Sequence, residues 1–185
     1  MDSDQLKELI TKDKFLRLYN CSIITQSEVP TILAKNSMLF VLLENGKVIE
    51  RKGTEFQLGH WILICCLPQV QRRKESARKI QISYIDPYGY SCSAVIKKKL
   101  QASAKTYKAK VFVNKTQIQF GIASVCGSIC SYLALLRARK YSFDQIFKCK
   151  IAKSKRLLAE VIPDIISSLL SKKHNKLQRF SSDFL

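Results

Sequence analysis

A chain of 185 residues with 32 Lys and Arg against 14 Asp and Glu carries a formal charge of +18, and 46% of its residues are apolar with only six Gly and four Pro. That balance excludes a disordered or fibrous class and suffices for one hydrophobic core, so a single domain over residues 1–185 is expected, with 172–185 as a flexible basic tail. Seven cysteines at irregular spacing beside two histidines form no zinc pattern, and the opening Met-Asp-Ser-Asp-Gln-Leu-Lys-Glu lacks the regions of a signal peptide, so the cysteines read as thiols of a protein that is not secreted.

In chain order, Leu6, Leu9, Ile10, Phe15 and Leu16 predict an amphipathic helix within residues 2–19, followed by a loop over 23–30. Met38–Leu43 and Val48-Ile49 flank Glu44-Asn45-Gly46-Lys47, which predicts a hairpin turning at Asn-Gly. Gly59-His60-Trp61 opens a continuous apolar run to Leu67, ended by Pro68, and reads as a central strand with a polar mouth. After a basic linker over 69–79, Ile80, Ile82 and Tyr84 alternate into Asp86-Pro87-Tyr88-Gly89, a strand stopped by a turn. A helix over 92–104 with Lys97-Lys98-Lys99 outward and a strand over 108–113 follow.

Residues 116–136 contain no charge. Eight of them are Gln, Ser, Gly or Thr, which argues against a membrane span. Cys126-Gly127 opens a helical pattern of Ile129, Tyr132, Leu133 and Leu136, entered from a loop over 121–125. This sets a thiol at a helix N-terminus, where unpaired amides and the macrodipole favour the thiolate. Cys130, one turn deeper on the same face, reads as core. Ser142-Phe143-Asp144-Gln145 is a capping box opening a basic helical region interrupted at Pro163.

Nucleophilic cysteine catalysis needs a thiolate, an imidazole, a group that orients the imidazole, and donors for an oxyanion. Cys126, His60, Asp86 and Gln119 supply one such set, because His174, the other histidine, lies in a polar basic stretch. Taken singly, each is ordinary: a strand-end histidine is more often structural, and a free cysteine packs well as a small hydrophobe.

In combination, Gly59-His60-Trp61, then Tyr84-Ile85-Asp86-Pro87-Tyr88-Gly89, then Gln119 seven residues before Cys126-Gly127 resemble the adenovirus-type, adenain-like cysteine proteases over roughly residues 15–140. The distantly related ubiquitin-like-protein proteases share the order His, Asp, Gln, Cys with a slightly shorter Gln to Cys gap. The resemblance implies an α+β, papain-like fold with the nucleophile helix packed on a mixed or antiparallel sheet. It also implies the roles: His60 as general base, Asp86 as its orienting acid, Gln119 as oxyanion donor, and Cys126 as nucleophile. The implied activity is an endopeptidase that cleaves viral or mobile-element precursor proteins at Gly-containing sites during virion maturation, in the virion and the host nucleus or cytoplasm. No cofactor is required for the chemistry and no metal is expected. The cysteine through which adenoviral enzymes can bind an activating peptide has no counterpart, since the equivalent stretch reads Tyr107-Lys108-Ala109.

The alternatives are a protease that removes ubiquitin-like proteins and a non-catalytic basic nucleic-acid-binding protein. Residues 1–67 hold eight basic and eight acidic groups, whereas 68–112 and 137–179 each carry a net +9. Charge so distributed points to a polyanion, DNA first and in the adenoviral family an activator, with Arg72, Arg73, Lys74, Lys97, Lys98, Lys99, Lys153, Lys155 and Arg156 as candidate contacts. The bland reading is a solvated basic surface. Protein substrates and DNA are the expected partners, an anionic membrane surface ranks second to nucleic acid as a polyanion, and the chain is taken as a monomer that does not enter membranes.

Overall fold

Apolar runs in the middle of the chain set the architecture. The computed structural model describes residues 2–51, 54–70, 79–119 and 125–148, together with Ile162 and Ile166, and has an α+β organisation. Strands β1 (Asn20–Thr25), β2 (Ser37–Arg51), β3 (Thr54–Pro68), β4 (Ile80–Ile85) and β5 (Lys110–Val113) lie in that spatial order. The inner pairs β2–β3 and β3–β4 are antiparallel, while the outer pairs β1–β2 and β4–β5 are parallel, so the sheet is mixed.

Side chains alternate across a strand, and β3 divides its apolar run between two cores. Trp61, Leu63, Cys65 and Leu67 face a layer containing α1 (Ser3–Lys12), α3 (Cys126–Ala138) and α4 (Phe143–Lys148), whereas Ile62, Ile64 and Cys66 face α2 (Ala94–Tyr107). A strand covered on both faces is continuously apolar, which is the pattern of residues 61–67. Every residue of α3 is buried, so the absence of charge up to Leu136 reflects enclosure by protein, and Arg137 at its end donates to the Pro68 carbonyl at 2.6 Å. Among the described residues no helix is long and apolar enough to cross a membrane.

Several boundaries differ from expectation. The N-terminal helix stops at Lys12: the Asp13 carboxylate accepts from the Phe15 and Leu16 amides, both at 2.9 Å, and turns the chain into a short 3-10 helix at Leu16–Leu18. Residues 23–25, expected in a loop, belong to β1, which borrows its order from parallel pairing with Phe40, Val41 and Leu42. Asn45-Gly46 does not turn the chain; it is the site of a register shift within β2, between Glu44 and Lys47. A tight turn there would have set Val41 against Glu50 and Phe40 against Arg51. Instead these two fully buried residues pair with Ile62 and Leu63, so the gain from burying the longer apolar run overrides the local turn preference.

The capping box at Ser142 forms as expected, with Ser142 Oγ accepting from the Gln145 amide at 3.2 Å and the Ser142 amide donating to Gln145 Oε1 at 2.9 Å. The expected interruption at Pro163 and the tail over 172–185 lie outside the described residues. Ile162 and Ile166 are helical and join the core on the α3 side.

Candidate active site

The site is built where β4 runs out. β3 pairs with β4 from Leu63 to Pro68 and with β2 from Thr54 onward, so at His60, Trp61 and Ile62 its β4-side edge has no strand partner among the described residues. In an antiparallel strand the N–H and C=O of one residue point toward the same neighbour. Helix α3 takes the place left at Trp61: the Trp61 amide donates to Cys126 Sγ at 3.4 Å, and Cys130 Sγ donates to the Trp61 carbonyl at 3.4 Å. Two cysteines one helical turn apart thus finish a sheet ladder, and Cys126 is held at the first residue of α3 with the Gly127 amide also hydrogen-bonded to it.

Asp86 follows the last residue of β4, and the turn after it closes through the Gly89 amide donating to the Asp86 carbonyl at 2.8 Å. Gly89 has φ +75°, and a Cβ there would meet the Gln117 nitrogen at 3.0 Å, so the turn is pressed against residues 115–117 in a conformation that suits glycine. Asn114, just past β5, pins the turn from behind: its Oδ1 accepts from the Asp86 amide at 2.7 Å, and its Nδ2 donates to the Asp86 carbonyl at 2.8 Å and to the Thr116 carbonyl at 3.0 Å. The Ile118 and Gln119 amides both donate to the Pro87 carbonyl, at 2.7 and 2.8 Å. Turn 86–89 and segment 114–119 are therefore one hydrogen-bonded unit.

The Asp86 carboxylate, 2% exposed, accepts at Oδ1 from the Tyr88 amide and from His60 Nε2, each at 2.8 Å. His60 also hydrogen-bonds Cys126, so the imidazole bridges the carboxylate and the thiol. Its ring lies 4.9 Å from that of Tyr88, and the Tyr88 hydroxyl accepts from Gln119 Nε2 at 2.9 Å.

Charge at the site follows from these contacts. Burial pulls the His60 pKa down, but hydrogen bonds to Asp86 and Cys126, with the charges of both, outweigh it and raise it from 6.5 to about 9. Burial alone pushes a thiol up, and the thiols of Cys21, Cys65, Cys66, Cys92 and Cys130 are all raised, with Cys65 at about 12. Cys126 is the described cysteine that moves the other way. Its burial is outweighed by hydrogen bonds from His60 and the Trp61 amide, the imidazolium charge, and the Gly127 amide. Both shifts favour the thiolate–imidazolium pair.

The structure thus brings His60, Asp86 and Cys126 into direct contact and joins Gln119 to them through Tyr88. Among the basic candidates, Lys97 and Lys98 are exposed on α2, whereas Lys99 turns to the Ser27 and Val29 carbonyls, because three consecutive helical residues cannot share one face. Arg72, Arg73, Lys74, Lys153, Lys155 and Arg156 lie outside the described residues. Sequence reading missed Asn114 and the Trp61 backbone, for which nothing local gives a signal, and it treated Tyr88 only as part of a turn. Among the described residues no group of His, Cys, Asp and Glu could hold a metal ion. The sequence matches no family model, and no curated protein matches it either.

Proposed function

We propose that the chain is a cysteine endopeptidase with an adenain-like, papain-type fold. The observation that carries this reading is the His60 imidazole bridging Asp86 Oδ1 and the Cys126 thiol at a helix N-terminus. In the proposed reaction the Cys126 thiolate attacks the scissile carbonyl carbon, and the carbonyl electron pair moves onto oxygen. Gln119 Nε2–H and the Cys126 amide stabilise that oxyanion. Collapse of the intermediate expels the amine, which takes the proton from His60, and leaves a thioester on Cys126. Water, deprotonated by His60, then attacks the thioester and releases the acid product with the thiolate restored. Asp86 keeps the imidazole oriented throughout.

The substrate class follows from the family resemblance: precursor proteins of a virus or mobile element, cut beside glycine during particle maturation. An electrophilic peptide ending in Gly-Gly tests the chemistry. It should label wild-type protein on Cys126 and leave Cys126→Ala unmodified; an adduct on Cys65, Cys66 or Cys130 in that variant would refute the assignment. Release of full-length ubiquitin-like proteins from conjugates, faster than cleavage of Gly-containing peptides, would move the substrate to the ubiquitin-like class.

The exposed Lys97 and Lys98, and the excess charge beyond residue 67, support DNA as a partner that brings the enzyme to its substrates. Binding of a labelled duplex should weaken steeply with salt, with a log-log slope of about −0.9 per phosphate contacted, and depend little on base sequence. Fluorescence anisotropy across a salt series checks this, and salt-independent binding contradicts it.

A further inference from the structure

Tyr88 touches both halves of the site, although the chemistry above assigns it no step. Its backbone amide donates to the Asp86 oxygen that also receives His60, and its ring lies against the imidazole, at 4.9 Å and 40°. Tyr90, 66% exposed, stacks on the Tyr88 ring at 5.6 Å. The hydroxyl accepts from Gln119 Nε2 at 2.9 Å.

We propose that the Tyr88 hydroxyl positions the oxyanion donor, restraining the Gln119 carboxamide through the hydrogen bond it accepts from Nε2. This rests on the endopeptidase reading and adds a residue to it. Gln119 is fixed at its backbone: its amide donates to the Pro87 carbonyl at 2.8 Å and its carbonyl accepts from Gln117 Nε2 at 2.9 Å. Its side chain still has three torsions and an amide that can present either oxygen or nitrogen. An oxygen turned toward an oxyanion repels it, so the donor works only when its orientation is set before reaction. Tyr88 restrains the torsions of that side chain from a turn locked to Asn114 and Asp86. The phenol also lies close enough to Cys126 for the thiolate charge to help push its pKa up, after burial, which keeps the hydroxyl neutral.

Tyr88→Phe removes the hydroxyl and keeps the ring and the backbone amide. With a Gly-containing peptide, kcat should fall about tenfold, the scale of one neutral hydrogen bond, with KM unchanged. The pH dependence of Cys126 alkylation by iodoacetamide should not move, because the His60–Cys126 pair is left intact. In a Gln119→Ala background the same substitution should have no further effect, since the hydroxyl acts through that amide. Wild-type kcat in Tyr88→Phe, a second tenfold loss in Gln119→Ala, or a displaced alkylation profile would each overturn the inference while leaving the endopeptidase reading standing. A wild-type chain that neither cleaves the peptide nor is labelled at Cys126 by the Gly-Gly probe would overturn both.

Discussion

The two halves of the site are held by different means. Cys126 is placed by secondary structure: it begins a fully buried helix whose first turns occupy the ladder position β4 vacates, and besides the His60 ring it meets β3 at the Trp61 backbone amide. Asp86 and Gln119 are placed by a turn and a loop that meet through backbone bonds at the Pro87 carbonyl and are braced by side chains, chiefly Asn114 and Tyr88. A half built on packing and backbone should tolerate substitution around the reacting atom, whereas one built on a few side-chain hydrogen bonds should lose its alignment when one of them is removed. His60 belongs to both, rising from β3 and leaning on the turn.

The largest effect is expected where the halves join. His60→Ala should reduce turnover nearly as far as loss of the thiol, because no other described side chain bridges Asp86 and Cys126. Wild-type peptide hydrolysis by that variant would end the catalytic reading. Within the side-chain-built half, Gln119→Ala should come next, at about 100- to 1,000-fold in kcat.

Asp86→Asn should cost less, since an amide can still orient the ring, but it should change the pH profile. Asp86 is among the groups that raise His60 to about 9. Protonated His60 is needed for the ion pair, so wild-type kcat/KM should fall as pH rises through about 9, and in Asp86→Asn that alkaline limb should move toward 6.5. A limb that stays in place would mean that Cys126, rather than Asp86, holds the imidazolium.

The smallest catalytic effect separates the halves most sharply. Asn114→Ala leaves the buried Asp86 amide without its partner and its carbonyl with the Gly89 amide alone, and should lower stability by about 1–3 kcal/mol while reducing kcat severalfold. Cys130→Ala removes one weak bond behind the nucleophile and should leave kcat within about twofold. Paired urea melts and peptide kinetics on the two variants test the contrast. Equal catalytic losses would show that the nucleophile half depends on side chains as much as the other.

Sequence reading did unevenly across the same divide. The strands β3 and β4, the helices α2 and α3 and the Ser142 cap were legible because their signals are local: an apolar run, an alternation, a cap three residues from its partner. β1 was not, because its few alternating residues become a strand only beside β2, and Asn45-Gly46 misled because a good turn dipeptide lost to long-range pairing. His60, Asp86, Gln119 and Cys126 were picked out together by their resemblance, in order and spacing, to the adenain-like pattern. Asn114 carried no signal, since an asparagine after a short strand resembles any loop residue until Asp86 is seen across from it.

By itself the sequence determined which residue types are present for chemistry, which segments are apolar enough to be enclosed, and that the excess positive charge falls after residue 67, because these follow from composition and near-neighbour periodicity. Only the tertiary structure decided that β4 ends short of His60, that a helix carrying Cys126 and Cys130 fills the gap, and that Tyr88 connects the imidazole to the amide of Gln119. The reason is physical: hydrogen bonds between groups 26 to 69 residues apart form only after both cores have packed, and burial energy, which has no direction of its own, leaves their geometry to the register of the strands.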